Sequence, residues 1–301
     1  VLAIIAPGQG AQTPGMLTPW LEISDCAESI SRWSDVIGKD LVALGTTADA
    51  DEIRDTANAQ PLIVATGLIA ANLLGVSAPI ISGHSVGEIT AAAVAKVISE
   101  FDAMRFVNDR ANAMAKAASL EKTGMSAVLG GDREEVLDAI IKLGLVAAND
   151  NGAGQIVVAG LISELSLFAD NPPAGARIRP LAVAGAFHTR YMQSAQEMLA
   201  KSAATISPSD PNASIISNRD GFAVVDGEEV LERIISQVAS PVRWDLCMKS
   251  LQELGVTGVI ELAPAGTLVG LLKRAAPELE TFAFKSPADL AAASEFAEKH
   301  K

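Results

Sequence analysis

The chain has 301 residues, 49% of them hydrophobic and only 4% aromatic, with a net charge of −13. That length buries a sizeable core, as one large domain or one domain with a smaller insert. The acidic balance argues against general nucleic-acid binding, which needs a basic footprint, and two cysteines, Cys26 and Cys247, cannot build a disulfide framework.

Val1–Ala6 is a short apolar run with no basic segment before it, and it breaks at Pro7-Gly8. It reads as a first strand and not as a signal peptide, so the expected compartment is the reducing cytoplasm. The longest apolar stretch, near Leu62–Leu74, contains Thr66, Gly67 and Asn72 and has the length of a buried helix. No run is expected to reach the roughly 18 uncharged apolar residues of a membrane span. A helix is predicted over Pro61–Leu74, a second short strand over Ala78–His84, and helices over Ile89–Ile98 and Phe101–Ala118. This alternation implies a parallel α/β sheet with its connections on the faces.

The pattern changes after residue 118. Gly124–Gly130, Leu145–Asn149, Gln155–Ala159 and Arg177–Ala184 read as strands, and Arg133–Lys142 and Ser163–Ala169 as helices. The order β-α-β-β-α-β is the split βαβ or ferredoxin-like arrangement. The expected organisation is an α/β domain over 1–117 and 184–301, interrupted by a small ferredoxin-like subdomain over 118–183. Alternation resumes with a strand at Ser214–Ser217, helices over Glu228–Val238 and Trp244–Leu254, and a strand at Val256–Glu261. Past Ser286 an alanine- and charge-rich helix is expected to lie on the surface.

Gly83-His84-Ser85-Val86-Gly87 has the G-x-S-x-G form at a strand-to-helix junction. The turn is sharp, so side chains at either flank would collide with strand or helix. The serine hydroxyl then stands at a helix N-terminus, where a developing anion is favoured. On the motif alone, an ordinary N-cap serine in a glycine-rich turn fits equally; the strand before and the helix after favour a nucleophile. A serine needs a base to react at neutral pH, and there are three histidines. His300 sits in a charged tail where disorder is the default, and the side chain of His84 should project away from that of Ser85. His188 remains, with a merely structural histidine as the alternative. Gly8-Gln9-Gly10-Ala11-Gln12 lacks the third glycine of a dinucleotide loop, Thr13 standing there, and no Walker lysine follows. Its alternative use is to aim a backbone N–H at a reacting carbonyl, so the N–H groups of Gln9 and Val86 are candidates for an oxyanion hole. Arg110 falls in an otherwise apolar helical stripe with Ala103, Val107, Met114 and Ala118. A buried arginine without an anionic partner is costly, and on the residues alone it reads as a structural ion pair or a snorkelling stem.

Together these pieces resemble the malonyl-CoA:acyl-carrier-protein transacylase family and the related acyltransferase domains of polyketide and fatty-acid synthases. The matching segments are Gly8–Gln12, Gly83–Glu88, Arg110, Ala186-Phe187-His188, and Ser236-Gln237 before Pro241-Val242-Arg243-Trp244, in family order across nearly the whole chain. The sequence departs from the family pattern at Ala111, where many relatives have glycine, and at Gly185, where malonyl-selective synthase domains often carry histidine. The resemblance implies an α/β-hydrolase-like domain with a ferredoxin-like insert. It also implies a Ser85–His188 dyad whose histidine is oriented by a backbone carbonyl near Gln237, with malonyl passing from coenzyme A to Ser85 and on to the phosphopantetheine thiol of an acyl carrier protein. By the same resemblance Arg110 would receive the malonyl carboxylate, and Phe187 and Met114 would contact the acyl group. No metal and no cofactor beyond the coenzyme A thioester substrate and the carrier's phosphopantetheine is expected. Nor is a nucleic-acid or membrane partner, and the protein is expected to be a monomer. A basic rim for the anionic carrier is expected from Arg190, Lys273 and Arg274. Two other readings stay open: an esterase or thioesterase using the same dyad with water as acceptor, and a non-catalytic carrier-docking domain.

Overall fold

The computed structural model describes residues 1–183 and 185–301. Strand β1 (Leu2–Ala6) is buried along its whole length, as an apolar strand covered on both faces must be. Helices α1 (Ser24–Ile37), α2 (Leu41–Thr46) and α3 (Thr56–Leu74) follow, then β2 (Ile80–Gly83), α4 (Gly87–Val94) and α5 (Glu100–Ala118). The middle of the chain forms β3 (Thr123–Gly130), α6 (Arg133–Lys142), β4 (Val146–Asp150), β5 (Gln155–Leu161), α7 (Ile162–Asp170) and β6 (Ala176–Pro180). Helix α8 (Gln193–Ala203) leads to the hairpin of β7 (Ser214–Ile216) and β8 (Ala223–Val224), then to α9 (Gly227–Gln237) and β9 (Val242–Arg243). The chain closes with α10 (Trp244–Glu253), β10 (Gly258–Glu261), α11 (Thr267–Ala275), β11 (Glu280–Ala283) and α12 (Leu290–His300).

Six strands form the main sheet in the order β11-β10-β1-β2-β7-β8. Every pair in it is parallel except the β7–β8 hairpin. The loops leaving β1, β2 and β7 therefore emerge side by side at the carboxyl edge, the usual place for a site in an open α/β sheet. The second sheet has the order β6-β3-β5-β4, all antiparallel, with β9 added in parallel beside β4. The first four strands and helices α6 and α7 have the ferredoxin-like connectivity that the sequence pattern predicts. The fifth strand does not come from that segment. Pairing of Asn149 and Asp150 with Val242 and Arg243 ties the small sheet to the chain just after α9.

Local chemistry explains the boundaries. The Asp55 carboxylate accepts the Ala57 N–H and starts α3 well before Pro61, so that proline lies inside the helix and not at its first turn. This corrects the membrane argument: α3 is 19 residues long with a mean hydropathy of 1.3, which is enough to span a bilayer by length and composition. Its apolar surface is instead buried inside the protein, where it packs against α4 and α5. The last predicted strand of the insert ends at Pro180, and its proposed end at Ala184, also the proposed domain boundary, lies outside the described residues. The C-terminal segment is a second correction. Ala293, Ala297 and His300 of α12 are buried, and His300 Nδ1 lies 3.0 Å from Thr257 Oγ1, so His300 sits in ordered structure and the helix is not a purely surface element. Gly258 makes room for that imidazole, because a Cβ there would overlap the ring.

Candidate active site

The elbow between β2 and α4 is built by close approach. A Cβ on Gly83 would overlap the backbone of Gly87, and one on Gly87 would overlap the Ala6 carbonyl at the end of β1. The turn holds Ser85 at φ 54°, a left-handed conformation that costs a non-glycine residue energy and recurs at functional turns. Gly8 packs on the same turn, 2.7 Å from the His84 carbonyl by its absent Cβ, so the loop after β1 is held directly against the elbow.

His188 faces the serine. Its Nε2 is 2.8 Å from Ser85 Oγ, and its Nδ1 is 2.9 Å from the carbonyl oxygen of Gln237. A carbonyl only accepts, so the imidazole proton resides on Nδ1 and the Nε2 lone pair points at the hydroxyl. His188 is itself at φ 60°, and its N–H is fixed to the Val238 carbonyl. Burial, followed by the nearby Arg110 guanidinium, holds its pKa down to about 3, so the ring is neutral at neutral pH. His84 is tied elsewhere: its Nε2 meets Asn151 Oδ1 at 2.9 Å and its ring packs edge-on to Trp244.

Arg110 projects from α5 and is 1% exposed. Its Nη1 donates to Gln60 Oε1 at 2.7 Å, and its Nη2 reaches Gln237 Oε1 at 3.2 Å and Ser85 Oγ at 3.3 Å. Its Nε is buried without a hydrogen-bond partner among the described residues. Among the described residues no carboxylate pairs with it directly; Glu88 is linked to it through Gln237, whose Nε2 donates to Glu88 Oε2. Burial lowers the guanidinium pKa to about 10, with Glu88 acting against the shift. The arrangement is a buried cation whose Nε–H is unused, beside a strained serine, which is chemistry suited to an anionic acyl group.

The Gln9 side chain donates to Thr56 Oγ1 and accepts from Gln60 Nε2, tying its loop to the residue that holds Arg110. No hydrogen bond is formed by the Gln9 or Val86 N–H groups among the described residues. Phe187 and Met114 are both buried in the main core cluster, and the Met114 sulfur lies 3.5 Å from Gln60 Nε2. Arg190, Lys273 and Arg274 are exposed and none bonds to a site residue; Arg190 lies over the Tyr191 ring and Arg274 reaches Gln155. Among the described residues no cluster of three His, Cys, Asp or Glu side chains could hold a metal.

Sequence reasoning misses two members of this network, Gln60 and Asn218, and gives a third, Glu88, no role. Glu88 belongs to the elbow string itself, and its burial pushes its pKa up to about 8 against the pull of Arg110, Arg233 and Arg219. Asn218 carries no motif; only the position of β7 beside β2 brings its loop to the serine. Its Oδ1 accepts the Ser85 N–H at 2.7 Å, and its Nδ2 donates to the Gly83 carbonyl at 2.7 Å.

Residues 4–292 match the acyl transferase domain family. The chain is 50% identical over 296 residues to a malonyl CoA-acyl carrier protein transacylase of Mycobacterium bovis, covering 96% of this chain and 98% of that protein. It superposes on the crystal structure of the Mycobacterium tuberculosis enzyme abbreviated MCAT with a TM-score of 0.94 and 49% identity, over 97% of this chain and 99% of the other. A malonyl-transacylase solved in complex with its type II PKS acyl-carrier protein gives a TM-score of 0.93 at 30% identity, over 98% and 99% of the two chains.

Proposed function

The chain belongs to the acyl transferase domain family, and from that premise we propose that it moves malonyl from coenzyme A to the phosphopantetheine thiol of an acyl carrier protein through an ester on Ser85. The 2.8 Å contact of Ser85 Oγ with a neutral His188, beside the buried Arg110, supports this reading above all else.

In the first half-reaction His188 Nε2 takes the Ser85 proton as Oγ attacks the thioester carbonyl. The tetrahedral oxyanion is received by the N–H groups of Gln9 and Val86. Collapse breaks the carbon–sulfur bond, and the coenzyme A sulfur leaves with the proton from His188. In the second half-reaction the carrier's thiol gives its proton to His188 and attacks the Ser85 ester. A second tetrahedral intermediate collapses, the carbon–oxygen bond breaks, and Ser85 Oγ regains the proton. The Gln237 carbonyl keeps the imidazole in the required tautomer through both halves. Arg110 pairs with the malonyl carboxylate, while Phe187 and Met114 bound the acyl pocket.

The reading is tested by mixing the protein with malonyl-CoA and a carrier protein, with and without its phosphopantetheine arm. The expected result is one malonyl mass on the armed carrier and none on the bare one. Release of free malonate at the same rate with either carrier would mean that water, not the thiol, is the acceptor.

A further inference from the structure

We propose that Asn218 is a positioning residue that holds the nucleophile and its base in register. The proposal rests on Ser85 being the nucleophile. Asn218 is fully buried and sits in the loop after β7, the strand that pairs with β2 on the side away from β1. Its Oδ1 accepts the Ser85 N–H and its Nδ2 donates to the Gly83 carbonyl, both at 2.7 Å. A backbone N–H can only donate and a carbonyl only accept, so the amide has one permitted orientation. One planar group therefore spans both sides of the elbow and bonds the backbone of the very residue held at φ 54°.

The same Oδ1 accepts a second bond, from Gln237 Nε2 at 3.0 Å. The Gln237 carbonyl receives the His188 Nδ1–H. Asn218 thus joins the turn that carries the nucleophile to the end of α9, which orients the base. Its own N–H is fixed in turn by Glu88 Oε1 at 2.7 Å. Loss of the amide would leave the Ser85 N–H and the Gly83 carbonyl buried without partners and free the elbow to relax. Asn218 bonds to none of the atoms exchanged in the reaction, so its influence runs through Ser85 and His188.

The test compares wild type, Asn218→Ala and Asn218→Asp. The readouts are the single-turnover acylation rate with malonyl-CoA and with acetyl-CoA, the labelling rate with a small fluorophosphonate, and near-ultraviolet circular dichroism as a check of the fold. Wild type must first label at Ser85; if it does not, the functional reading has failed, not this proposal. With labelling established, Asn218→Ala should slow both acylations and the labelling by about 10²-fold, the scale of a misplacement of about 1 Å, while KM changes little. Asn218→Asp supplies a second arm if the alanine variant does not fold. Buried beside Glu88, and with Arg110, Arg219, Arg233, His188, Asp245 and Cys247 as the other titratable groups around that network, a neutral carboxylic acid can accept from Ser85 and donate to Gly83, as the amide does. Its carboxylate form cannot donate. Relative to wild type at the same pH, the Asp variant should therefore recover as pH falls. A folded alanine variant with normal labelling, a loss confined to KM, or an Asp variant that stays slow relative to wild type at every pH would overturn the proposal.

Discussion

Arg110 donates to Gln60, Gln237 and Ser85 and still has a free Nε, so its contribution depends on what the substrate brings. Malonyl has a carboxylate to offer and acetyl does not. Arg110→Ala leaves the malonyl charge unpaired, a loss of about 3–5 kcal/mol for a buried pair, or about 10²–10⁴-fold in kcat/KM. The acetyl substrate should lose little, and Arg110→Lys, which lacks the planar fork, should fall between. An equal loss on both substrates would assign Arg110 to the fold instead. The same cation acts on His188. As the proposed base, His188 must be neutral to act, so the rate falls as pH drops through its pKa, and burial and Arg110 both hold that pKa far below the ordinary 6.5. The acid limb of the malonyl- or acetyl-CoA rate profile should therefore lie well below pH 6.5. Removing Arg110 takes away a repulsive charge and should move the limb of acetyl transfer to higher pH. A limb that stays in place would show that Arg110 does not set the basicity of His188.

At the scale of elements, the elbow depends on three backbones meeting with no side chain between them: β1, the turn after β2, and the first turn of α4. Gly87→Ala places a methyl against the Ala6 carbonyl, which cannot move without shifting β1. The expected cost is at least about 1–3 kcal/mol, as for other overpacked sites, read as a lower denaturant midpoint, together with slower labelling of Ser85. Unchanged values of both would mean that the turn is looser than its geometry implies. The G-x-S-x-G string announced this element because its spacing is local and each glycine has a steric reason. Helices α1, α2, α8 and α11 carry no such string; α1 and α11 are marked instead by the helical spacing of their buried residues, Cys26, Ile30 and Trp33 in one and Leu268, Leu271 and Leu272 in the other. The start of α3 was obscured because Pro61 reads as a first-turn residue until Asp55 is seen to cap the helix.

For the whole molecule, legibility follows the distance over which residues cooperate. The parallel sheet and the β-α-β-β-α-β insert are written in alternation along the chain, and both appear in the structure. The addition of β9 to the insert's sheet, the clamp of Asn218 and the burial of His300 arise between segments far apart in sequence, so no local pattern encodes them. Ser85, His188 and Arg110 could be singled out from residue type and the family resemblance, and Glu88 stands in the elbow string without a role, yet Gln60 and Asn218, which connect them, could not.

The central claim is that malonyl is carried on Ser85. Intact-mass measurement after rapid mixing with malonyl-CoA alone, without carrier, tests it most directly. One malonyl adduct is expected on the wild-type chain, mapping to the peptide that contains Ser85, and none on a folded Ser85→Ala variant. An adduct of the same mass on Ser85→Ala, or transfer to the carrier with no adduct on the wild-type chain, would contradict it.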